Sequence, residues 1–272
     1  MTRKILTFLI VLSIALTAFP SSTSQALAKL RSFELDFLPI ATPLGAPDPA
    51  FFNAQNIRDV ISRVDEQYSK FSNGMIRFSF RRILPTRISI HDISPDISDR
   101  NSSYLDIARE VSALEIPDPG FDNVFVVSVL PNTPYFPSAL ALGVAGLIVN
   151  GKDNFNSRAI AHELGHELGL EHAGSGVCNF AATVNACQIS FEYDDPSDVM
   201  GAGSPPGSLE QYNKNFGFSE THLDTLGVLT DSAKRQITQS GDYSIAPAYS
   251  VASLSPVLLY MPTDSGRGYS IE

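Results

Sequence analysis

The eleven residues His162–His172, which read HELGHELGLEH, carry three histidines and three glutamates and could bind a metal ion. On a helix, His162 and His166 lie on one face, about 40° and 6 Å apart. Imidazoles so placed can share one Zn²⁺ ion at about 2.0–2.1 Å each. A solvated polar helix without metal is the alternative. Three of the chain's five histidines fall in this window, however, and the pattern therefore predicts a zinc site.

His172 can supply a third ligand only if the helix ends before it. On a continuing helix, His172 would lie about 240° around the axis from His166, facing away from the metal. Gly169 stands between them, and glycine readily adopts the left-handed conformation that ends many helices. We therefore expect a helix over Ser157–Leu168, with Asn156 or Ser157 as its N-cap, and a bend at Gly169.

Among the three glutamates, Glu163 is the predicted catalytic base. On the helical wheel it lies nearer the direction of the metal than Glu167, which points further round. Glu171 lies beyond the bend, where the wheel makes no prediction. Three neutral imidazoles would leave the charge of Zn²⁺ unneutralised, which lowers the pKa of water at the metal toward about 7. Glu163 could then take a proton from attacking water and pass it to a leaving amine, as amide hydrolysis requires.

Alternating strands and helices precede this motif and must position it. Hydrophobic periodicity and turn signals predict strands and helices as follows: strands over Ser32–Ala41, Met75–Ile83, Asn123–Leu130 and Leu142–Asn150, and helices over Phe52–Phe71 and Ser102–Leu114. The strand over Asn123–Leu130 is apolar throughout and is predicted to be central. The fold class expected is α+β (mixed α/β), with a mixed twisted sheet, helices on its faces and the active-site helix.

The strand over Leu142–Asn150 is the last one predicted before the active-site helix. The polar segment GKDNFNS that follows it is predicted to be a loop leading to the active-site helix.

Beyond Gly174 the chain becomes rich in Gly, Pro, Ser and Asp, which predicts a smaller, irregular C-terminal lobe. A short helix is expected near Ser219–Leu226, and weak strands after Gly241. We predict one catalytic unit in two lobes, residues 29–174 with the zinc helix and residues 175–272, with the motif at their junction. The strand-like end GYSIE predicts that the second lobe is short or incomplete.

Residues 1–28 are predicted to be a secretory signal peptide. Arg3 and Lys4 precede the apolar run Ile5–Phe19, and Ala26-Leu27-Ala28 supplies a cleavage site near Ala28. A transmembrane anchor is the alternative, but a span needs about 20 apolar residues and this run stops at Pro20. We therefore expect a secreted or extracytoplasmic protein, with no membrane contact once the signal is removed.

An exported chain meets oxidising conditions, so its two cysteines, Cys178 and Cys187, are expected to form a disulfide. Zinc ligation by cysteine is the weaker alternative because no C-x-x-C pair exists. The formal net charge of −10 argues against a nucleic-acid partner, since phosphate recognition uses clustered Lys and Arg. We expect a monomer that acts on a protein or peptide substrate.

HELGHELGLEH resembles the zinc signature H-E-x-x-H-x-x-G-x-x-H of metzincin metalloproteases. EYDDPSDVMG places Met200 where that family has a methionine-containing turn. This string, Ala173 after the third histidine, and FGFSETHLDTLGVL (Phe216 to Leu229) are similar to the gametolysin-like branch. The upstream stretch YSKFSNGMIRFSF resembles the helix-to-strand step of that catalytic domain.

The resemblance implies a metzincin-like catalytic domain and a secreted zinc endopeptidase. In such folds the strand above the cleft is an edge strand that pairs with extended peptide, so the resemblance implies this role for the strand over Leu142–Asn150, with an internal strand as the alternative. His162, His166 and His172 carry over as ligands of one Zn²⁺ ion, Glu163 as base, and Met200 as a residue packed under the metal. Some metzincins have a tyrosine two residues after the methionine that assists the oxyanion. Here that position is Ala202, which leaves Tyr193 and Tyr212 as candidates.

Two other functions are alternatives: a catalytically inactive zinc-containing binding or envelope protein, and a zinc amidase of small peptides. Glu163 speaks against the first, because zinc binding alone has no use for it. A Ca²⁺ site formed by Asp194, Asp195 and Asp198 is an unsupported possibility, and turn capping is the expected role of these residues. The remaining histidines, His91 and His222, are isolated in sequence and are expected to be ordinary surface or core residues.

Overall fold

A parallel β–α–β unit begins the fold. The computed structural model describes residues 30–89, 106, 109–110, 123–133, 139–142, 146–178, 187–191, 193, 195, 198–201, 217–246, 256–262 and 268–271. Strand β1 (Arg31–Ala41) leads into helix α1 (Ala54–Phe71), and β2 (Ile76–Ile83) returns beside β1 in parallel. Asn53 caps α1, and the predicted apolar face of this helix is buried. The first predicted strand, helix and strand are thus confirmed.

The main sheet has the order β2-β1-β4-β6-β5, with the short β3 beside β1. Its remaining strands are β3 (Arg87–Ile88), β4 (Val124–Leu130), β5 (Ala139–Ala141) and β6 (Gly146–Asn150). All its pairings are parallel except β5 with β6, so the sheet is mixed, as predicted. Every residue of β4 is buried, which confirms a central strand there. The predicted mixed α/β class is therefore confirmed.

The prediction of an edge strand over Leu142–Asn150 is wrong. β6 begins at Gly146 and is internal, because β4 pairs with one side of it and β5 with the other. Leu142 N–H donates to the Gly146 carbonyl at 2.8 Å, so Leu142 lies opposite β6 and is not part of it. Hydropathy could not separate these elements, since the sequence from Ala139 to Val149 contains only apolar residues and glycine. Among the described residues, the edge strand on this side of the sheet is β5.

The segment GKDNFNS is not entirely a loop. Helix α2 (Gly151–Asn154) forms directly after β6, with Gly151 at φ +73°. A Cβ at Gly151 would lie 2.9 Å from Cα of Asn132, so glycine is required both by the backbone conformation and by the close approach. The chain then enters α3 (Ser157–Glu167), the predicted active-site helix.

The main core lies between one face of the sheet and helices α1 and α3. Phe33, Leu35 and Phe37 of β1 contribute to it. Tyr68 of α1 is buried and its hydroxyl donates to the Ala161 carbonyl of α3 at 2.8 Å, which ties the two helices together next to His162. A smaller cluster covers the opposite face of the sheet. The sheet therefore supports the active-site helix from below, and α1 supports it from the side.

Two small sheets follow α3 in the region predicted to be irregular. Their strands and the nearby helices are β7 (Ser175–Cys178) paired antiparallel with β8 (Cys187–Phe191), then α4 (Glu220–Thr225), a 3-10 helix (Asp231–Ala233), β9 (Lys234–Gln236), β10 (Leu258–Pro262) and β11 (Gly268–Ile271). The short helix predicted near Ser219–Leu226 is confirmed by α4, and β10 and β11 confirm strands after Gly241. The hairpin of β7 and β8 was not predicted.

Two sequence predictions fall on residues that the structure does not describe. The signal peptide, residues 1–28, lies outside the described ranges, and so does most of the helix predicted over Ser102–Leu114. Within the described ranges, no helix combines the length and apolar character needed to cross a membrane.

Candidate metal centre

Helix α3 presents two of the three histidines from a well-capped start. The Asn156 side chain accepts a hydrogen bond from Ala159 N–H at 3.0 Å, so Asn156 is the N-cap. Ile160, Ala161 and Leu164 are buried on the side of α3 that faces the core. His162 and His166 lie one helical turn apart and are only partly buried. Packing of the apolar side thus determines where the two imidazoles point.

The helix ends in a Schellman motif centred on Gly169. Leu170 N–H donates to the Gly165 carbonyl and Gly169 N–H to the His166 carbonyl, each at 2.9 Å. Gly169 has φ +92°, which residues with a Cβ adopt only at a cost. The reversed chain direction brings His172 back to the first two histidines.

The three histidines converge through their Nε2 atoms. His166 Nε2 lies 3.2 Å from Nε2 of His162 and 3.0 Å from Nε2 of His172. His162 Nδ1 lies 2.8 Å from the Val199 carbonyl oxygen, and His166 Nδ1 lies 2.8 Å from that of Leu170. A carbonyl only accepts, so both Nδ1 atoms carry the proton and both Nε2 atoms present a lone pair. Two lone pairs that face each other at 3.2 Å are an arrangement that a cation between them would stabilise.

This geometry fits a tetrahedral zinc ion. Ligand nitrogens at about 2.0–2.1 Å from zinc would lie roughly 3.3 Å from one another, close to the observed separations. The carbonyl partners at Nδ1 of His162 and His166 hold the tautomer and ring orientation that metal binding needs. Within the described part of the chain, His162, His166 and His172 form the one cluster of potential ligands with this geometry.

Burial keeps His162 and His166 neutral, which is the form that binds metal. Burial lowers the pKa of His162 to about 4, whereas its hydrogen bond to Val199 raises that pKa. The charges of His166, His172 and Arg158 lower it further. Burial likewise lowers the pKa of His166. Neither imidazole therefore needs to lose a proton at neutral pH before it binds a metal.

Glu163 is the buried acid of the site, with 7% of its surface exposed. Burial raises the pKa of Glu163 to about 7. The hydrogen bond from the Ala141 N–H lowers this pKa, and the charge of Glu167 raises it. A dication at the histidines would lower that pKa again, because an opposite charge favours the carboxylate. Ala141 belongs to edge strand β5, so the sheet itself positions this carboxylate.

Met200 lies in a turn, Asp198–Gly201, that we call the Met200 turn, and its side chain packs against Gly165 of α3. Its side chain is fully buried, and a Cβ at Gly165 would collide with Met200 Sδ. Gly165 therefore has a structural role of its own, because only glycine leaves room for the methionine against α3. Ala173 N–H donates to the Met200 carbonyl at 3.1 Å, which ties this turn to the segment after His172.

Asp198 and His222 form a buried pair whose connection the sequence did not reveal. Oδ1 of Asp198 accepts from Met200 N–H at 2.7 Å, and Oδ2 accepts from Ser219 N–H at 2.6 Å and from His222 Nδ1 at 2.7 Å. Asp198 thus caps its turn, which was the expected role, and His222 is a core residue. Burial alone would raise the pKa of Asp198, but His222 and the two backbone N–H groups hold it below its usual value.

The remaining predicted residues differ in how far the structure places them. The Tyr193 ring lies against His172, with centroids 3.9 Å apart, and its centroid is 6.2 Å from that of His162. Tyr212 and Ala202 lie outside the described residues, as do Asp194 and His91. The backbones of Cys178 and Cys187 are paired directly across β7 and β8, but their side chains are outside the described part.

Comparisons with known proteins assign this chain to no family. The sequence matches no protein-family model, and it matches no curated protein. Among solved structures, the chain is similar to a zinc-dependent peptidase from Methanocorpusculum labreanum, with TM-score 0.34 and 15% identity over 71% of this chain and 99% of that one. It is also similar to a chain in the structure of a chaperone–substrate complex, with TM-score 0.39 and 14% identity over 73% of this chain and 33% of that one. Likenesses of this size establish no activity.

Proposed function

We propose that this protein is a secreted zinc-dependent endopeptidase of the metzincin type, similar to the gametolysin branch. The observation that supports this most strongly is the convergence of His162, His166 and His172 through Nε2, with 3.0 and 3.2 Å between neighbouring nitrogens. It is accompanied by the buried carboxylate of Glu163, one residue after His162, and by the buried side chain of Met200. The M. labreanum protein is described as a zinc-dependent peptidase, which agrees with the proposal without carrying it.

In the proposed reaction, the three imidazoles would hold zinc and Glu163 would move the proton. Zinc in such a site acts as a Lewis acid toward a carbonyl oxygen and makes water more acidic. Glu163 accepts a proton from the water that attacks the scissile carbonyl, and its carboxyl group then donates that proton to the departing amine nitrogen. The hydrogen bond from Ala141 N–H holds the Glu163 carboxylate against β5, and the side chain is 7% exposed.

Edge strand β5 is the proposed binding strand for extended peptide, in place of the segment first predicted. Leu140 pairs with Ile148 of β6, and Leu142 N–H donates to the Gly146 carbonyl. The backbone N–H and C=O groups of Leu140 and Leu142 therefore point toward β6. In an antiparallel ladder the alternate residues, Ala139 and Ala141, then turn theirs outward. Since Glu163 takes the Ala141 N–H, the outward N–H left for substrate in β5 is that of Ala139.

An Ala139→Pro variant is expected to raise KM for peptide substrates roughly three- to tenfold with little change in kcat. Proline removes the outward N–H, and one backbone hydrogen bond contributes about 0.5–1.5 kcal/mol. Steady-state kinetics on a fluorogenic peptide measures the effect. Ala139→Val keeps the N–H and is the control, so equal KM values for the two variants would exclude pairing at this residue.

The proposed function is tested by cleavage of casein or gelatin by the purified protein after removal of the signal segment. We expect activity that disappears with a chelator and returns on adding Zn²⁺, with one bound zinc per chain. A wild-type protein that binds zinc but cleaves neither protein would instead support the inactive binding protein. Cleavage of short peptides alone would support the small-peptide amidase.

Secretion and a Cys178–Cys187 disulfide are part of the same proposal. The direct backbone pairing of the two cysteines across β7 and β8 supports the bond, because it brings their Cα atoms to a distance that a disulfide can span. Mass spectrometry of the exported protein without reduction is expected to find the two cysteine peptides linked and a new N-terminus near Ala28. Free thiols in exported protein would contradict the disulfide.

A further inference from the structure

A buried chain of hydrogen bonds connects helix α4 to the metal centre. It begins at His222 of α4, whose Nδ1 donates to the Asp198 carboxylate at 2.7 Å. The same carboxylate accepts from Met200 N–H at 2.7 Å. Between Asp198 and Met200 lies Val199, and its carbonyl accepts from Nδ1 of His162 at 2.8 Å. His222 therefore reaches a predicted metal ligand through one turn of backbone.

We propose that His222 is a positioning residue for the metal site, which holds the Met200 turn through Asp198 and so orients His162. The inference rests on the proposed metal binding. Asp198 is 1% exposed and His222 is 8% exposed, so water has little access to replace their bond. Within the described structure, His222 is the one side chain that donates to this carboxylate, beside two backbone N–H groups.

The rest of the Met200 turn is held by groups that leave the Asp198 carboxylate untouched. Arg158 Nη2 donates to the carbonyls of Asp198 and Gly201 at 2.7 and 2.9 Å, and Val199 N–H donates to the Gly217 carbonyl at 2.8 Å. Loss of His222 should therefore loosen the turn rather than unfold it. Because Val199 offers His162 a carbonyl that is correctly directed only while the turn keeps its shape, the effect should appear in metal affinity.

The test compares zinc affinity in His222→Leu, His222→Asn and the control Leu223→Ala. Leucine removes the donor at similar volume, whereas the amide nitrogen of asparagine can occupy nearly the position of Nδ1. Leu223 is buried on the same helix and contributes to the main core, so its loss weakens α4 without removing the donor to Asp198. Competition with a chromogenic chelator measures the zinc Kd, and the absorption spectrum of the Co²⁺-loaded protein reports ligand geometry.

We expect His222→Leu to weaken zinc binding about tenfold and to shift the Co²⁺ bands. Direct partners of ligating histidines typically contribute 10–100-fold in affinity, and His222 acts on such a partner, the Val199 carbonyl, so the lower end of that range applies. His222→Asn should stay close to wild type, and Leu223→Ala should lower Tm with an unchanged Kd. If His222→Leu lowers Tm but leaves Kd and spectrum unchanged, the residue is only structural and the inference is wrong. No zinc binding by the wild type would overturn the proposed function together with it.

Should His222→Leu not be recovered folded, His222→Gln takes its place. Its amide donor lies one bond further from the backbone than that of asparagine, so it should bind zinc more weakly than His222→Asn does. Equal zinc affinity and equal Co²⁺ spectra for the glutamine and asparagine variants would overturn the inference.

Discussion

Glu163→Gln is expected to lower kcat for peptide hydrolysis by about 10²–10⁴, the usual contribution of a general base, while the zinc content stays the same. Glutamine has the same shape and can still accept from the Ala141 N–H, but it cannot take up a proton. Because Glu163 is not a predicted ligand, the metal should remain bound. Steady-state kinetics together with metal analysis of the purified variant measures both quantities.

Glu167→Gln is the matched control for this experiment. Glu167 lies one helical turn further along α3 and is only partly buried, whereas Glu163 is 7% exposed and bonded to β5. The control should retain activity within about threefold of wild type, because loss of a neighbouring charge affects the site only through space. A large loss in Glu167→Gln with an active Glu163→Gln would reverse the assignment of the base.

Asp198→Ala is expected to lower the free energy of unfolding of the metal-free protein by about 3–5 kcal/mol, because each buried donor that loses its acceptor costs roughly 1–3 kcal/mol. The substitution leaves His222 and the N–H groups of Met200 and Ser219 without their acceptor in a buried environment. Urea denaturation in the presence of a chelator measures the change. Asp224→Ala is the control, since its ion pair with Lys234 is partly exposed and should contribute less than about 1 kcal/mol.

Acid should remove the contribution of the Asp198 carboxylate to the free energy of unfolding. The folded protein holds the pKa of Asp198 below its usual value, so its stabilising effect is fully present above the unfolded pKa of about 4. The effect is lost as pH falls through the lowered pKa of the folded state. The stability difference between wild type and Asp198→Asn should therefore be constant near neutral pH and shrink below about pH 4. A difference that grows in acid would contradict the ionised state assigned to Asp198.

Local sequence signals predicted the parts of the site that depend on neighbouring residues. The helical spacing of His162 and His166 and the glycine at 169 were enough to expect a helix that ends in time for His172 to return. Each of these is a relation among a few adjacent residues, where helix geometry leaves few alternatives. The same holds for the apolar face of α1 and the buried strand β4.

Features that depend on residues far apart in the sequence could not be predicted from local signals. Neither the Val199 carbonyl that accepts from His162 nor the bond between Asp198 and His222 has a signature in the sequence, because nothing local pairs residues 24 or more positions apart. The edge strand was misplaced for a related reason, since the sequence from Ala139 to Val149 contains only apolar residues and glycine. Which of the two strands, β5 or β6, forms the edge depends on which of them pairs with β4.

The bend at Gly169 also affects the order in which the protein can assemble. It lets the three predicted metal ligands come from one contiguous segment, His162–His172, and contacts between residues close in sequence form with little loss of chain entropy. We therefore expect this segment to be able to bind a metal ion while the rest of the chain is unfolded. The carbonyl of Val199 reaches His162 only when distant parts of the chain have come together. We expect weak capture first and tight binding later, so that tight retention of zinc reports completed folding.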